Sequence, residues 1–216
     1  MVCALPPERF LAGDGGCGQP LADVALRLAE PHGAIAVHCG RLSLGWMDGG
    51  RLRPLPGPGE GWWRSGDAGE LGPTGLSVLG RLDGAIHSGG ETVFPEVLEE
   101  RLLAAAAAAG LPLEAVLLLP EPDPEWGERL VALVRTVGAA HGVVPPLEPL
   151  VALTAHWLPA ERPGRWVLCP ELVPTAAGKW RRERWRSWIR EHAASPRGGF
   201  RAAESHPPGR RLPASG

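Results

Sequence analysis

The chain has 216 residues, 44% of them hydrophobic and 21% charged, with a formal net charge of −2. That content can bury one ordinary core or two small ones, and it excludes a chain that is disordered throughout. The near-neutral balance gives no reason to expect a nucleic-acid or membrane-surface partner, and no apolar run approaches the ~20 residues of a membrane span. The first residues lack the charged-then-apolar plan of a signal peptide, so a cytoplasmic location is expected.

Along the chain, the first 80 or so residues are rich in Gly and Pro and broken into short apolar runs. Ala22–Leu28, Ala34–His38, Trp62–Arg64 and Leu76–Leu79 are predicted as strands separated by turn residues, and Leu52–Gly61 as a loop. This reads as a small, irregular, barrel-like β unit. After Arg81 the texture changes. Pro95 can open a helix whose acidic residues Glu96, Glu99 and Glu100 lie near its positive end, and Gly110 stops it. Ala115–Leu119 and Leu130–Val134 are continuous apolar runs predicted as buried strands. A helix is expected over Leu147–Leu158, a strand over Arg165–Cys169, and a last helix over Trp180–His192 with Trp185, Trp188 and Ile189 on one face. The second unit is therefore predicted as compact α+β, and residues 193–216 as a disordered tail.

Cys3, Cys17, Cys39 and Cys169 have no C-x-x-C spacing, and the seven histidines form no H-x-x-x-H pair. No metal site and no disulfide framework is expected. Of the 22 basic residues, 21 are Arg, which leaves Lys179 as the only lysine. A compact ammonium on a flexible stem does work that a planar guanidinium does not. Lys179 is thus either a chemical group or an ordinary surface lysine.

Three segments carry candidate chemistry. In Gly61-Trp62-Trp63-Arg64-Ser65-Gly66-Asp67, the carboxylate of Asp67 can accept two hydrogen bonds, as a ribose diol would offer; alone, the segment reads first as a plain Ser-Gly-Asp turn. In Gly80-Arg81-Leu82-Asp83-Gly84-Ala85-Ile86-His87-Ser88-Gly89-Gly90-Glu91, closing at Pro95, Arg81 suits a phosphate or ribose and the paired glycines admit close backbone approach; a glycine turn before a helix reads the same way. In Pro174-Thr175-Ala176-Ala177-Gly178-Lys179-Trp180, a loop of small residues delivers the lone ammonium, which could stabilise charge developing at a phosphate or carboxylate.

In this order and spacing the segments resemble the late motifs of the adenylate-forming superfamily of acyl-CoA synthetases, luciferases and peptide-synthetase adenylation domains. Within it, Arg-Leu-Asp-x-x-x-x-Ser-Gly-Gly-Glu-x-x-x-Pro is similar to o-succinylbenzoate–CoA ligases of menaquinone and phylloquinone synthesis, although other aryl- and fatty-acyl-CoA ligases share much of it. The resemblance implies a remnant of the N-terminal AMP-binding domain over residues 1–82 and a mobile C-terminal domain over 83–192. It implies nucleotide binding by Asp67 and Arg81, a hinge at Asp83, and a CoA pantetheine tunnel lined by Ser88, Gly89, Gly90 and Glu91. It also implies that Lys179 is catalytic in adenylation. The implied ligands are a small-molecule carboxylate, ATP or AMP, CoA, and Mg2+.

The sequence departs from the family's pattern in two ways. The family's Ser/Thr/Gly-rich phosphate loop and its Tyr-Gly-x-Thr-Glu segment do not occur in it, so the Mg2+ ligand is expected in an N-terminal segment outside this sequence. Adenylation by this chain alone is not expected. Leu158–Gly164 stands where the family often has a Tyr-Lys-x-Pro-Lys-like run. A non-catalytic AMP- or CoA-binding module that pairs with a separate N-terminal half is the alternative expectation. Nucleic-acid binding through Arg181, Arg182, Arg184, Arg186 and Arg190 is a third, better explained as the solvated face of the last helix.

Overall fold

The computed structural model describes residues 1–30, 32–55, 61–137 and 146–192, and the backbone of 199–201. The chain divides into two compact units, Met1–Ala85 and the residues from Ile86 onward. Both are mixtures of sheet and few helices.

In the first unit, β1 (Cys3–Ala4) pairs with β2 (Gln19–Pro20), separated by a single-turn helix α1 (Pro7–Leu11). The main sheet is antiparallel in the order β3 (Ala25–Ala29), β4 (Ala34–His38), β7 (Trp62–Gly72), β8 (Gly75–Arg81). Strand β4 is buried along almost its whole length, and Ile35 and Val37 pack with Cys3, Val24, Cys39 and Leu76. A separate hairpin joins β5 (Gly45–Asp48) and β6 (Arg51–Pro54). Barrel-like closure was expected here; instead, among the described residues, the sheet stays open at β3 and β8. The strand expected from Ala22 begins at Ala25, because Val24 N–H turns back to the Leu21 carbonyl at 2.9 Å and Asp23 is held by Arg41 at 2.7 Å. Part of the expected loop Leu52–Gly61 is strand β6, and residues 56–60 lie outside the described residues.

The second unit is one sheet with helices on both faces. Its strands are β9 (Ile86–Ser88), β10 (Glu91–Val93), β11 (Leu113–Asp123), β12 (Gly127–Thr136), β13 (Arg165–Leu168) and β14 (Gly199–Arg201). Strands β11 and β12 form a long antiparallel hairpin, and β13 lies parallel to β12 on its other side. Alternation along the central pair sends Val116, Leu118, Leu130, Ala132 and Val134 into one core with α2 (Pro95–Ala108) and α3 (Glu148–Leu153). Ala115, Leu117, Leu119, Val131 and Leu133 enter a second core with Trp185 and Ile189 of α4 (Arg182–His192). Both faces are buried, which is why these strands read as unbroken apolar runs rather than alternating ones.

Helix α2 begins at Pro95 as its sequence requires, with the fixed φ of proline suited to the first turn. Helix α3 is shorter than the expected Leu147–Leu158. The Thr154 hydroxyl donates to the Val151 carbonyl at 2.9 Å, and Trp157 N–H turns back to Thr154, which closes the helix early and buries Trp157. Of the expected disordered tail, Gly199–Arg201 forms β14 against the edge of β13; the remainder lies outside the described residues. No described helix is long and apolar enough to cross a membrane.

Candidate functional site

In the first unit, strand pairing sets Asp67 of β7 directly opposite Arg81 of β8. The Arg81 guanidinium lies between two carboxylates. Its Nε is 3.7 Å from Asp67 Oδ1, and it donates to both oxygens of Asp83 at 3.1 and 3.2 Å. That hydrogen bonding holds the Asp83 carboxyl below its ordinary range and raises Arg81. Asp67 is fixed from behind, where its N–H donates to the buried Ser65 hydroxyl at 3.1 Å, and its carboxylate remains partly open. Gly66 keeps this place clear, since a Cβ there would lie 3.1 Å from the Arg81 guanidinium. A half-open carboxylate beside a pinned guanidinium suits a diol next to a phosphate.

In the second unit, Ser88, Gly89, Gly90 and Glu91 form the turn between β9 and β10. Ser88 is fully buried, and its hydroxyl lacks a hydrogen-bond partner among the described residues. Gly89 has φ +58° and donates its N–H to the Trp126 carbonyl at 2.9 Å. A Cβ on Gly89 would lie 2.6 Å from the Trp126 ring, whereas one on Gly90, at φ +90°, would meet open space. Two neighbouring glycines thus serve different ends. Gly89 presses the turn onto Trp126, and Gly90 offers bare backbone outward.

Lys179 is exposed at the end of a short turn closed on itself. Thr175 N–H donates to the Lys179 carbonyl at 2.8 Å, Lys179 N–H to the Thr175 hydroxyl at 3.1 Å, and Gly178 N–H to the Thr175 carbonyl at 2.8 Å. Gly178, at φ +71°, supplies the left-handed residue this needs. The small-residue loop is therefore tied by its own hydrogen bonds. Next to it a cavity of about 230 Å³ is lined by Thr175, Arg181, Arg184 and Trp185 among others.

Three supporting features do not stand out in the sequence for these roles: Trp126 under Gly89, Thr175 under Lys179, and Glu99 with Arg182 at the start of α4. Arg182 was expected on a solvated face; instead it is paired with Glu96 and Glu99. Burial pushes Glu99 up to about 7 against the pull of Arg182. Among the described residues, no group of three or more His, Cys, Asp or Glu could hold a metal ion.

No protein-family model matches the chain. It is 28% identical over 191 residues to the 2-succinylbenzoate–CoA ligase of Salmonella typhimurium, a match covering 88% of this chain and 38% of that protein. It is 31% identical over 150 residues to a 4-chlorobenzoate–CoA ligase from an Arthrobacter species, covering 65% of this chain and 26% of the relative. A solved structure of Escherichia coli MenE with a bound phenylether-linked analogue of OSB-AMS superposes at a TM-score of 0.65 and 25% identity, over 88% of this chain and 38% of that one. The chain thus spans well under half the length of these relatives. In sequence and in fold it is similar to the C-terminal part of the adenylate-forming acyl-CoA synthetases, 2-succinylbenzoate–CoA ligases among them.

Proposed function

We propose that the chain is the C-terminal part of an acid–thiol ligase that converts a carboxylate, ATP and CoA to acyl-CoA, AMP and pyrophosphate through an acyl-adenylate. An o-succinylbenzoate is the preferred acid; other aryl acids remain the alternative, since a 4-chlorobenzoate–CoA ligase is also a relative. The observation that carries this reading is Lys179: the one lysine of the chain, exposed, on a turn closed by its own hydrogen bonds.

In the adenylation step the carboxylate oxygen attacks the α-phosphorus of ATP and pyrophosphate leaves. The Lys179 ammonium stabilises negative charge shared by the carboxylate and α-phosphate, while Asp67 accepts from the ribose hydroxyls and Arg81 orients ribose or phosphate. In the second step the CoA thiolate attacks the acyl carbonyl and AMP leaves, with Gly90 and Glu91 lining the path of the pantetheine arm. Residues 83–192 would turn about Asp83 between the steps, so that one active centre receives first Lys179 and then the glycine turn. The exposed Asp83–Arg81 pair is the kind of surface contact that yields to such a rotation at little cost.

The test is a chimera in which Cys17–His192 replaces the matching part of the Salmonella relative. Formation of o-succinylbenzoyl-CoA from the acid, ATP and CoA is expected. Lys179→Ala should lower adenylation by about 10²–10³-fold and leave thioester formation from supplied acyl-AMP intact. Gly90→Trp should do the reverse. A chimera that folds but gives equal losses in both steps for both variants would sink the assignment.

A further inference from the structure

Strand β11 is paired on one side only, with β12, among the described residues. Backbone groups on its other side need partners. At Leu118 these partners are charged side chains: its N–H donates to Glu99 Oε1 at 2.8 Å, and its carbonyl accepts from Arg182 Nη1 at 2.9 Å. The same guanidinium donates to both oxygens of Glu99, at 3.1 and 3.2 Å, and to Glu96 Oε1 at 3.0 Å. Helix α2 lies on one face of the sheet and α4 on the other, so the cluster is a buckle drawn round the edge strand. Glu99 is buried, and the Arg182 side chain is only 20% exposed.

The chain neighbours of this buckle give it meaning. Arg182 opens α4 shortly after Lys179 in the chain, and Glu96 and Glu99 lie at the start of the helix that follows the Ser88–Glu91 turn. On its other side the lysine turn is anchored by fully buried Leu172. Between the two anchors, hydrogen bonds run from Thr175 to Gly178 and Lys179. An apolar contact could stabilise the fold here as well as a buried ion pair does. A planar guanidinium with four directed acceptors adds fixed orientation.

We infer that Glu99 and Arg182 are positioning residues that hold the Lys179 turn in fixed register with the Ser88–Glu91 turn, so that both travel as one rigid piece. The inference rests on the reading of Lys179 as the adenylation amine.

Hydrogen exchange on the full chain tests it through the amides of Gly178 and Lys179. The double variant Glu99→Gln, Arg182→Gln removes the pair without stranding a lone buried charge, and the carboxamide introduced in place of the Glu99 carboxylate can still accept from Leu118 N–H. Exchange at Gly178 and Lys179 should accelerate at least tenfold, while Val131 and Leu133 in β12 stay within twofold of the wild type. Arg182→Lys should fall between, because an ammonium cannot bridge the same four acceptors. Unchanged exchange at the two turn amides would overturn the inference, as would an acceleration that reaches β12 equally. The exchange measurement does not depend on the Lys179→Ala assay, so failure of the positioning role and failure of the Lys179 reading are told apart.

Discussion

At the scale of single residues, Gly89 and Gly90 separate two costs that a glycine pair usually confounds. Both have positive φ, so an alanine at either costs about 1–2 kcal/mol in backbone conformation alone. Only at Gly89 does the new Cβ also collide with the packed Trp126 ring, which adds an overpacking cost of about 1–3 kcal/mol. Denaturant midpoints should therefore fall clearly further for Gly89→Ala than for Gly90→Ala; equal losses would mean the turn does not rest on Trp126. Asp83 offers a second residue-level check. Arg81 holds its carboxyl low, so in Arg81→Gln its titration, followed by carboxyl carbon shifts, should move up toward the ordinary aspartate value of about 3.9. Asp67, Arg81 and Lys179 could be singled out as candidates because each lies in a segment that also carries glycine. Their supports could not. Nothing local in Trp126, Thr175 or Arg182 announces a partner, and Arg182 sits in an arginine-rich run where its neighbours are exposed.

At the scale of elements, the Glu99 carboxyl makes the α2–β11–α4 contact sensitive to pH. Its proton is held more tightly in the folded unit, at about 7, than at the ordinary 4.5, with Arg182 and Glu96 as the charged groups facing it. The stability this contributes is complete below about 4.5 and is lost as pH rises through about 7. Urea midpoints of the second unit should thus fall between about pH 5 and pH 8 more steeply in the wild type than in Glu99→Gln. An identical pH slope in the two proteins would place the titrating group elsewhere. The elements themselves were read well where period and length agreed. Strand β4, helix α2 and the β11–β12 core were visible in apolar pattern and in the Pro95 and Gly110 boundaries. The hairpin β5–β6 was missed because its strands are exposed and bury no apolar face, and α3 was overextended because the local bond from the Thr154 hydroxyl back to Val151 is not encoded in apolar periodicity.

At the scale of the whole molecule, the first unit leaves apolar side chains in water: Leu44 is 82% exposed, Met47 66%, Leu52 51% and Trp46 48%. Met47 and Leu52 are cross-strand partners, and a two-stranded hairpin has little stability without a surface to cover it. Sedimentation should show concentration-dependent association that Met47→Ser, Leu52→Ser reduces. The second unit carries a different consequence, one of time. Strands β11 and β12 meet across a tight turn in which Asp123 Oδ1 accepts the N–H groups of Glu125 and Trp126, each at 2.9 Å. Strand β13 reaches its parallel place on β12 only after the long crossover through α3 is closed. Local closure takes microseconds, while distant parallel pairing must first meet the entropy of a large loop. In stopped-flow experiments Asp123→Ala should chiefly slow refolding, and Trp166→Phe in β13 should chiefly speed unfolding, which would date the hairpin before the barrier and the crossover strand after it.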